Sequence, residues 1–471
     1  MIVEQIYTGC LAQGAYYIQS ENEVVIIDPL REVAPYIERA KKGKANIKYV
    51  FETHFHADFV SGHLDLAAKC GAEIVFGPTA QPAFKAHVAK DGEEFKIGKI
   101  RLKVLHTPGH TMESACFLLI DEDGIERILF SGDTLFIGDV GRPDLAQKAA
   151  NMTREELAGL LYESLKNKIM PLKDDIIVYP AHGAGSACGK NLSKETFDTL
   201  GHQKKTNYAL NADLTKEKFI AQVTDGLMPP PGYFPFNVGL NKSGYESFDT
   251  VLARGMKALT PDNFELITEA ETALVLDTRH QKNFIKEHIA GSIFIGIEGD
   301  FAPWTGALIP RIDQKILIIT DIGNEEEVVT RLARVGYDNC IGFLAGGIQA
   351  WKDSGRKVVA MESISVDIFA KLNSNASINI LDVRKQSEYD SQHILGSLNV
   401  PLDFINDSMA KIEKHKTYYV HCAGGYRSVI FISILNARGF MNLINVEGGM
   451  NAIKLSGRFD LTEYVCPTTM L

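Results

Sequence analysis

Residues 276–292 and 381–397 repeat one pattern. Leu276-Asp277-Thr278-Arg279 precedes His288-Ile289-Ala290-Gly291-Ser292, and Leu381-Asp382-Val383-Arg384 precedes His393-Ile394-Leu395-Gly396-Ser397. Asp and His lie 11 residues apart in both copies. Further on, Gly336-Tyr337 and Gly346-Gly347 match Gly439-Phe440 and Gly448-Gly449, ten residues apart in the first copy and nine in the second. Solenoid repeats run at roughly 20–50 residues, so a period of about a hundred is a duplicated small α/β domain. The duplication occupies the second half of the 471-residue chain. The first half must therefore be a different domain. Met228-Pro229-Pro230-Pro231-Gly232 marks the exit from it, because this run continues neither a helix nor a central strand.

Composition closes off several classes. Apolar residues make up 45% and charged residues 23%, ordinary values for a globular protein and unlike disordered or collagenous chains. Lys and Arg number 49 against 59 Asp and Glu, for a net charge of −10 with no basic run, so nucleic acid is a poor partner. No stretch approaches the ~18 apolar residues of a membrane helix. Met1 to Gln5 lacks the basic and apolar regions of a secretory signal. Seven cysteines, odd in number and without a CxxC, fit free thiols in a reducing compartment. A cytoplasmic location is expected, with no membrane partner.

Eight of the thirteen histidines precede residue 205. Glu23–Asp28, Ile47–Phe51, Ile100–Leu105, Ala115–Ile120, Arg127–Phe130 and Ile176–Tyr179 read as strands, and Glu32–Lys42 as a helix. Four of these strands run into short turns that present imidazoles or a carboxylate. The turns are Thr53-His54-Phe55-His56-Ala57-Asp58-Phe59, Thr107-Pro108-Gly109-His110, Ser131-Gly132-Asp133 and Tyr179-Pro180-Ala181-His182. A lone histidine means little. Four such turns in one domain predict a metal site, since neutral imidazole and carboxylate are transition-metal ligands. Spacing alone does not separate His54 from His56.

The order HxHxD, PGH, GD and a late His resembles the metallo-β-lactamase superfamily over about residues 1–240. Gly138-Asp139-Val140-Gly141-Arg142-Pro143-Asp144 and Tyr179-Pro180-Ala181-His182 resemble its persulfide dioxygenase branch. Hydrolases of the superfamily usually carry HxHxDH, and here the last position is Phe59. A phenyl ring cannot ligate, so a two-metal centre loses a ligand and the bridged-hydroxide route is disfavoured. The resemblance implies one Fe(II) on His54, His110 and Asp133, with positions open for O2 and substrate. His56, Asp58 and His182 would then orient ligands or hold water. The family has an Arg at position 142, which implies that Arg142 holds a substrate carboxylate; the structural alternative is an ion pair with Asp144 or Asp139. Cys188, six residues after His182 in a glycine-rich run, would receive or relay sulfur, or simply fill space.

The last domain carries a second constellation. A strand, Thr417–Val420, runs into His421-Cys422-Ala423-Gly424-Gly425-Tyr426-Arg427-Ser428 and an apolar helix from Val429 to Arg438. A thiol in a glycine loop at a helix N-terminus is surrounded by N–H donors, which favour the thiolate. Cysteine phosphatases need five residues between Cys and Arg, and here four separate Cys422 from Arg427. The smaller ring resembles the rhodanese family, which implies a sulfane sulfur carried on Cys422 and an anionic donor at Arg427. The first copy has Thr320-Asp321-Ile322-Gly323-Asn324-Glu325-Glu326-Glu327 at the matching place, with no Cys between 301 and 339. That copy is read as inactive.

The expected architecture is α/β multidomain: an αββα metallo-β-lactamase sandwich over 1–243, an inactive rhodanese-like domain over 244–360 and an active one over 361–471. The whole chain resembles fusions of a persulfide dioxygenase with rhodanese. The resemblance implies iron-dependent oxidation of a low-molecular-weight thiol persulfide (glutathione, coenzyme A or similar) by O2, coupled to sulfur transfer involving thiosulfate or sulfite. It allows a dimer or tetramer. A glyoxalase-II-type thioester hydrolase fused to a sulfurtransferase is the competing reading.

Overall fold

The computed structural model describes residues 1–375 and 378–466. The last five residues of the third expected domain thus lie outside the described residues. The chain packs as two compact units. One holds 1–250 with 333–336, the other 251–332 with 337–471.

The first unit is built on two six-stranded sheets. One runs in sequence order from Ile2–Thr8 through Gln13–Ser20, Glu23–Ile27, Asn46–Glu52 and Glu73–Phe76 to His87–Val88. The other orders Asp198–Thr199, Ile177–Pro180, Glu126–Gly132, Ala115–Ile120, Ile100–His106 and Glu94–Ile97. Strand Ala115–Ile120 shows why the layers form. All six of its residues are buried. Ala115, Phe117 and Leu119 join Tyr16, Ile18, Val25, Phe51 and Phe130 in one cluster. Cys116 and Leu118 face the other way, onto Leu161, Leu165 and Phe219 of the helical layer. Successive side chains of a strand point to opposite faces, so a strand apolar at every position needs cover on both sides. The first sheet is covered likewise, with Val24, Ile26 and Val50 packed on Val33, Tyr36 and Leu66. The result is the expected αββα sandwich.

The second unit contains two five-stranded sheets of one design. In chain order the strands are Ala258–Leu259, Leu274–Asp277, Ile293–Phe294, Ile316–Ile319 and Cys340–Leu344, arranged first, fifth, fourth, second, third. The other sheet arranges Ser363–Ile364, Asn379–Asp382, Leu398–Asn399, Tyr418–His421 and Leu443–Val446 in that same order. All pairings are parallel.

The shared motif holds this scaffold. Arg384 donates from Nη2 to Asp382 Oδ2 (2.5 Å) and to the Gln392 carbonyl (2.8 Å). Arg279 does the same to Asp277 (2.6 Å) and Glu287 (2.8 Å). His393 stacks on Tyr389 at 3.7 Å, as His288 does on Phe284 at 4.0 Å. These buried bidentate pairs fix the strand-to-helix turn and reach no reaction site. No helix among the described residues is long and apolar enough to cross a membrane.

Candidate metal centre and sulfur-carrying loop

The four histidine and aspartate turns converge at the strand ends of the two sheets. Ligand atoms of His54, His110 and Asp133 lie within 4.8 Å of one another, all buried. His54 Nε2 is 3.7 Å and His110 Nε2 3.3 Å from Asp133 Oδ2. The outward nitrogens are held by the fold. His54 Nδ1 is 3.0 Å from Thr53 Oγ1, whose hydroxyl donates to Asp28 Oδ2 at 2.9 Å. His110 Nδ1 is 2.9 Å from the backbone carbonyl of Arg142 and donates to it. Both rings are thereby locked with Nε2 as the free acceptor, the tautomer a metal ligand needs. Burial, and then the imidazoles of His56, His110 and His182, hold His54 well below the usual histidine range. It is neutral at physiological pH.

The donor set fits a cation. Asp133 is buried and neither of its carboxylate oxygens accepts a hydrogen bond from the described residues; His182 Nε2 is likewise unpartnered. An ionised carboxylate in an apolar interior without a partner is costly, and a cation at this point removes the cost.

His56, Asp58 and His182 form a second buried group of the same compactness. His182 Nε2 is 3.4 Å from Asp58 Oδ2 and 3.6 Å from Asp133 Oδ1, so the two groups adjoin. His56 Nε2 faces Asp28 Oδ1 at 3.0 Å and Glu52 Oε2 at 3.4 Å. Burial works against its protonation, yet these two carboxylates hold His56 well above the ordinary value. Phe59 is fully buried with its ring 4.3 Å from that of His56.

Cys188 is also brought to the centre, in a group with Asp133 and His182. Burial first, then the carboxylates of Asp58 and Asp133, push its thiol well above the ordinary value. A cation at Asp133 would offset the carboxylate field on the sulfur.

Arg142 lies close by but is heavily engaged. Its guanidinium pairs with Asp144 through Nε and Nη2 (both 2.7 Å) and donates to the carbonyls of Ala187 (3.1 Å) and Met228 (2.5 Å). Four of its five N–H bonds are thus spoken for. A substrate carboxylate at this side chain has to compete with Asp144.

The loop bearing His56 and Phe59 has a clamp that the sequence did not reveal. Asn241, on helix Phe234–Ser243 beyond the proline run, donates to the carbonyls of His56 and Phe59 (2.8 Å each) and accepts from the Ser61 N–H (2.9 Å). It is 1% exposed. Asn241→Ala leaves three buried backbone groups unpaired. It is expected to cost about 3 kcal/mol of stability and to lower the metal bound per chain, measured by thermal melting and elemental analysis.

In the last sheet, Cys422 follows the central strand Tyr418–His421 and is 1% exposed. The Gly425 N–H donates to its Sγ at 3.1 Å. Ser428 Oγ is 3.7 Å from the sulfur and itself donates to Asn445 Oδ1 at 2.8 Å. Gly449 approaches so closely that a Cβ there would strike the Cys422 carbonyl, and the Met450 N–H donates to that carbonyl at 2.7 Å. This is the work of the repeated Gly-Gly. Arg427 forms a bidentate pair with Glu388 (2.6 and 2.9 Å) and remains partly exposed.

The other copy is an internal control. Superposing the motifs puts Thr320 at Cys422, Glu325 at Arg427, Glu326 at Ser428, Asn283 at Glu388 and Phe343 at Asn445. There the Gly323 N–H donates to Glu325 Oε2 at 2.8 Å. The loop donor is taken up by the chain's own carboxylate. The residues shared by the copies build the scaffold and the glycine donor of the loop, and the side chains around the sulfur differ. Glu388, Ser428 and Asn445 were not singled out in the sequence, although this comparison was available there.

Comparisons with known proteins give the following likenesses. Residues 8–182 match the model of the metallo-beta-lactamase superfamily, and 260–354 and 365–456 each match the rhodanese-like domain. Human mitochondrial persulfide dioxygenase ETHE1 is 28% identical over 225 residues, 47% of this chain and 80% of that protein. A hydroxyacylglutathione hydrolase of Tolumonas auensis is 35% identical over 171 residues, 36% of this chain and 60% of that protein. The crystal structure of a metallo-beta-lactamase from Staphylococcus aureus superposes with a TM-score of 0.64 at 32% identity. It covers 73% of this chain and 98% of that one.

Proposed function

The chain belongs to the metallo-beta-lactamase superfamily and carries two rhodanese-like domains behind that fold, and from this premise we propose that it is a persulfide dioxygenase with a sulfurtransferase. The observation that carries the reading is one chain holding both halves of a sulfur chemistry. A buried two-His, one-carboxylate site with Phe59 beside it is joined to a loop that presents Cys422 to N–H donors. The chemistry is assigned to domains 1–243 and 361–471, with 244–360 inactive.

The first reaction is RSSH + O2 + H2O → RSH + sulfite + two protons. His54, His110 and Asp133 are the residues to hold Fe(II), which supplies redox access to O2 and open coordination positions. Thr53 and the Arg142 carbonyl keep the two imidazoles aimed. Asp58 and His182, 3.4 Å apart, would hold the water that is consumed. Cys188 lines the site where a persulfide sulfur would lie. Arg142, held by Asp144, would bind the acidic part of a carrier thiol such as glutathione.

At the second site the Cys422 thiolate attacks the outer sulfur of thiosulfate, breaking its S–S bond and releasing sulfite. A low-molecular-weight thiolate then takes the sulfur and restores Cys422. Run in reverse, the same steps give thiosulfate.

A two-metal thioester hydrolase is the second reading. It is favoured by the His56, Asp58 and His182 group and by the likeness to hydroxyacylglutathione hydrolases. The discriminating experiment supplies Fe(II)-loaded protein with glutathione persulfide, or with S-lactoylglutathione, and follows O2, sulfite and free thiol. O2 uptake with equimolar sulfite is expected from the persulfide. Thioester cleavage without O2 uptake would overturn the reading.

A further inference from the structure

The helix that follows Cys422, Arg427–Ala437, is buried at every residue from Ser428 to Leu435. A helix that is apolar all round needs cover on all sides. Its own sheet covers one side. The inactive copy covers another: the Phe294 N–H, on the edge strand Ile293–Phe294, donates to Ser433 Oγ at 2.9 Å.

The contact extends into the sulfur loop itself. The Tyr426 hydroxyl donates to the Gly296 carbonyl at 2.8 Å, and its ring meets that of Phe294 edge-on at 5.6 Å. Gly296 and Gly299 make the room. A Cβ on Gly299 would lie 2.6 Å from Cζ and the hydroxyl of Tyr426, and one on Gly296 would lie 3.2 Å from its ring. The rhodanese scaffold does not require these glycines. With the two copies in register, the active one has Pro401 and Phe404 in their places. Conversely, the inactive loop has Asn324 where the active one has Tyr426. The pocket and its occupant are thus each confined to the copy that uses them.

We propose that the inactive copy is a positioning domain for the sulfur loop, and that Tyr426, seated between Gly296 and Gly299, is the positioning residue that sets the place of Cys422. Tyr426 stands four residues after Cys422 and next to Arg427, so a shift of its backbone moves the N–H groups around the sulfur. The inference rests on Cys422 as the sulfur carrier.

The test uses the full chain with Gly299→Ala, Tyr426→Phe, Tyr426→Ala and the Gly299→Ala/Tyr426→Ala double variant. Two readouts are taken: kcat and KM for sulfur transfer from thiosulfate, and the rate of Cys422 alkylation by iodoacetamide. Gly299→Ala is expected to lower kcat by about tenfold to a hundredfold, the scale of a small misplacement of a reacting group. KM for thiosulfate is expected to stay within about twofold, because placement is lost and not binding. In the Tyr426→Ala background the added methyl has no ring to displace. The second substitution is then expected to change kcat by less than about twofold, where independent effects would multiply. Tyr426→Phe keeps the ring in place and loses one hydrogen bond, giving a smaller loss in a protein that folds.

Wild-type kcat and alkylation rate in Gly299→Ala would overturn the proposal, as would effects that multiply in the double variant. If wild-type Cys422 gains no sulfur from thiosulfate, the sulfurtransferase reading fails. The alkylation rates then still decide whether the inactive copy places the thiol.

Discussion

His110→Ala is expected to reduce persulfide-dependent O2 uptake by roughly a hundredfold or more, given the several kcal/mol of charge stabilisation that a bound metal supplies. The substitution removes one of three donors whose free nitrogen or oxygen is aimed at a common point. It also releases the Arg142 carbonyl, which accepts from the other ring nitrogen. Iron bound per chain is expected to fall with the activity, so elemental analysis separates lost metal from lost chemistry. Sulfur transfer at Cys422 shares no partner with His110 and is expected to stay within about twofold. O2 uptake that survives in iron-loaded His110→Ala would exclude this ligand set.

The complementary substitution is Cys422→Ser, which is expected to reduce sulfur transfer from thiosulfate to background while O2 uptake with preformed glutathione persulfide persists. A serine hydroxyl fits the space, accepts from the Gly425 N–H and donates to Ser428 Oγ as the thiol does. It cannot hold a sulfane sulfur, because the carrier must be a soft nucleophile that later releases the sulfur to a thiolate. When thiosulfate and thiol are the only sulfur sources, O2 uptake is also expected to vanish, since no persulfide then reaches the first site. Sulfur transfer that persists in Cys422→Ser would leave Cys422 without a role and direct attention to Cys188, the other buried thiol beside titrating groups.

How much of this was legible in the sequence depended on distance along the chain. Strands and the turns they feed are local, and short apolar runs followed by small-residue turns placed the expected ones within a residue or two. Strand Ala115–Ile120 was expected and found at the same limits, and the helix expected at Glu32–Lys42 runs from Ala34 to Lys42. The duplication rested on four short matches in each copy and predicted two α/β domains of one design. Contacts made by isolated polar side chains across long separations were not legible. Asn241 meets a loop about 180 residues earlier through three hydrogen bonds, and nothing near Asn241 in the chain points there. The charge of Arg142 was visible, but its engagement by Asp144, Ala187 and Met228 was not. The apolar run after Cys422 was seen as a helix. Its lack of a polar face, the sign of cover on both sides, went unused.

The Asn241 clamp bears on where the first domain can be cut. The proline run at 229–231 looks like a natural place to end a fragment, and the metal residues all precede it. A fragment ending there would lose helix Phe234–Ser243 and with it Asn241. It would also lose Tyr245, whose hydroxyl donates to the Ser61 carbonyl and accepts from the Leu64 N–H at 3.3 Å. The His54–Phe59 loop would keep its ligands and lose the struts that hold its far side. A fragment meant to keep this centre therefore has to include the stretch after the prolines, at least through Tyr245. Proteolytic trimming within residues 226–233 is expected to disarm the centre without touching any residue proposed to hold the metal.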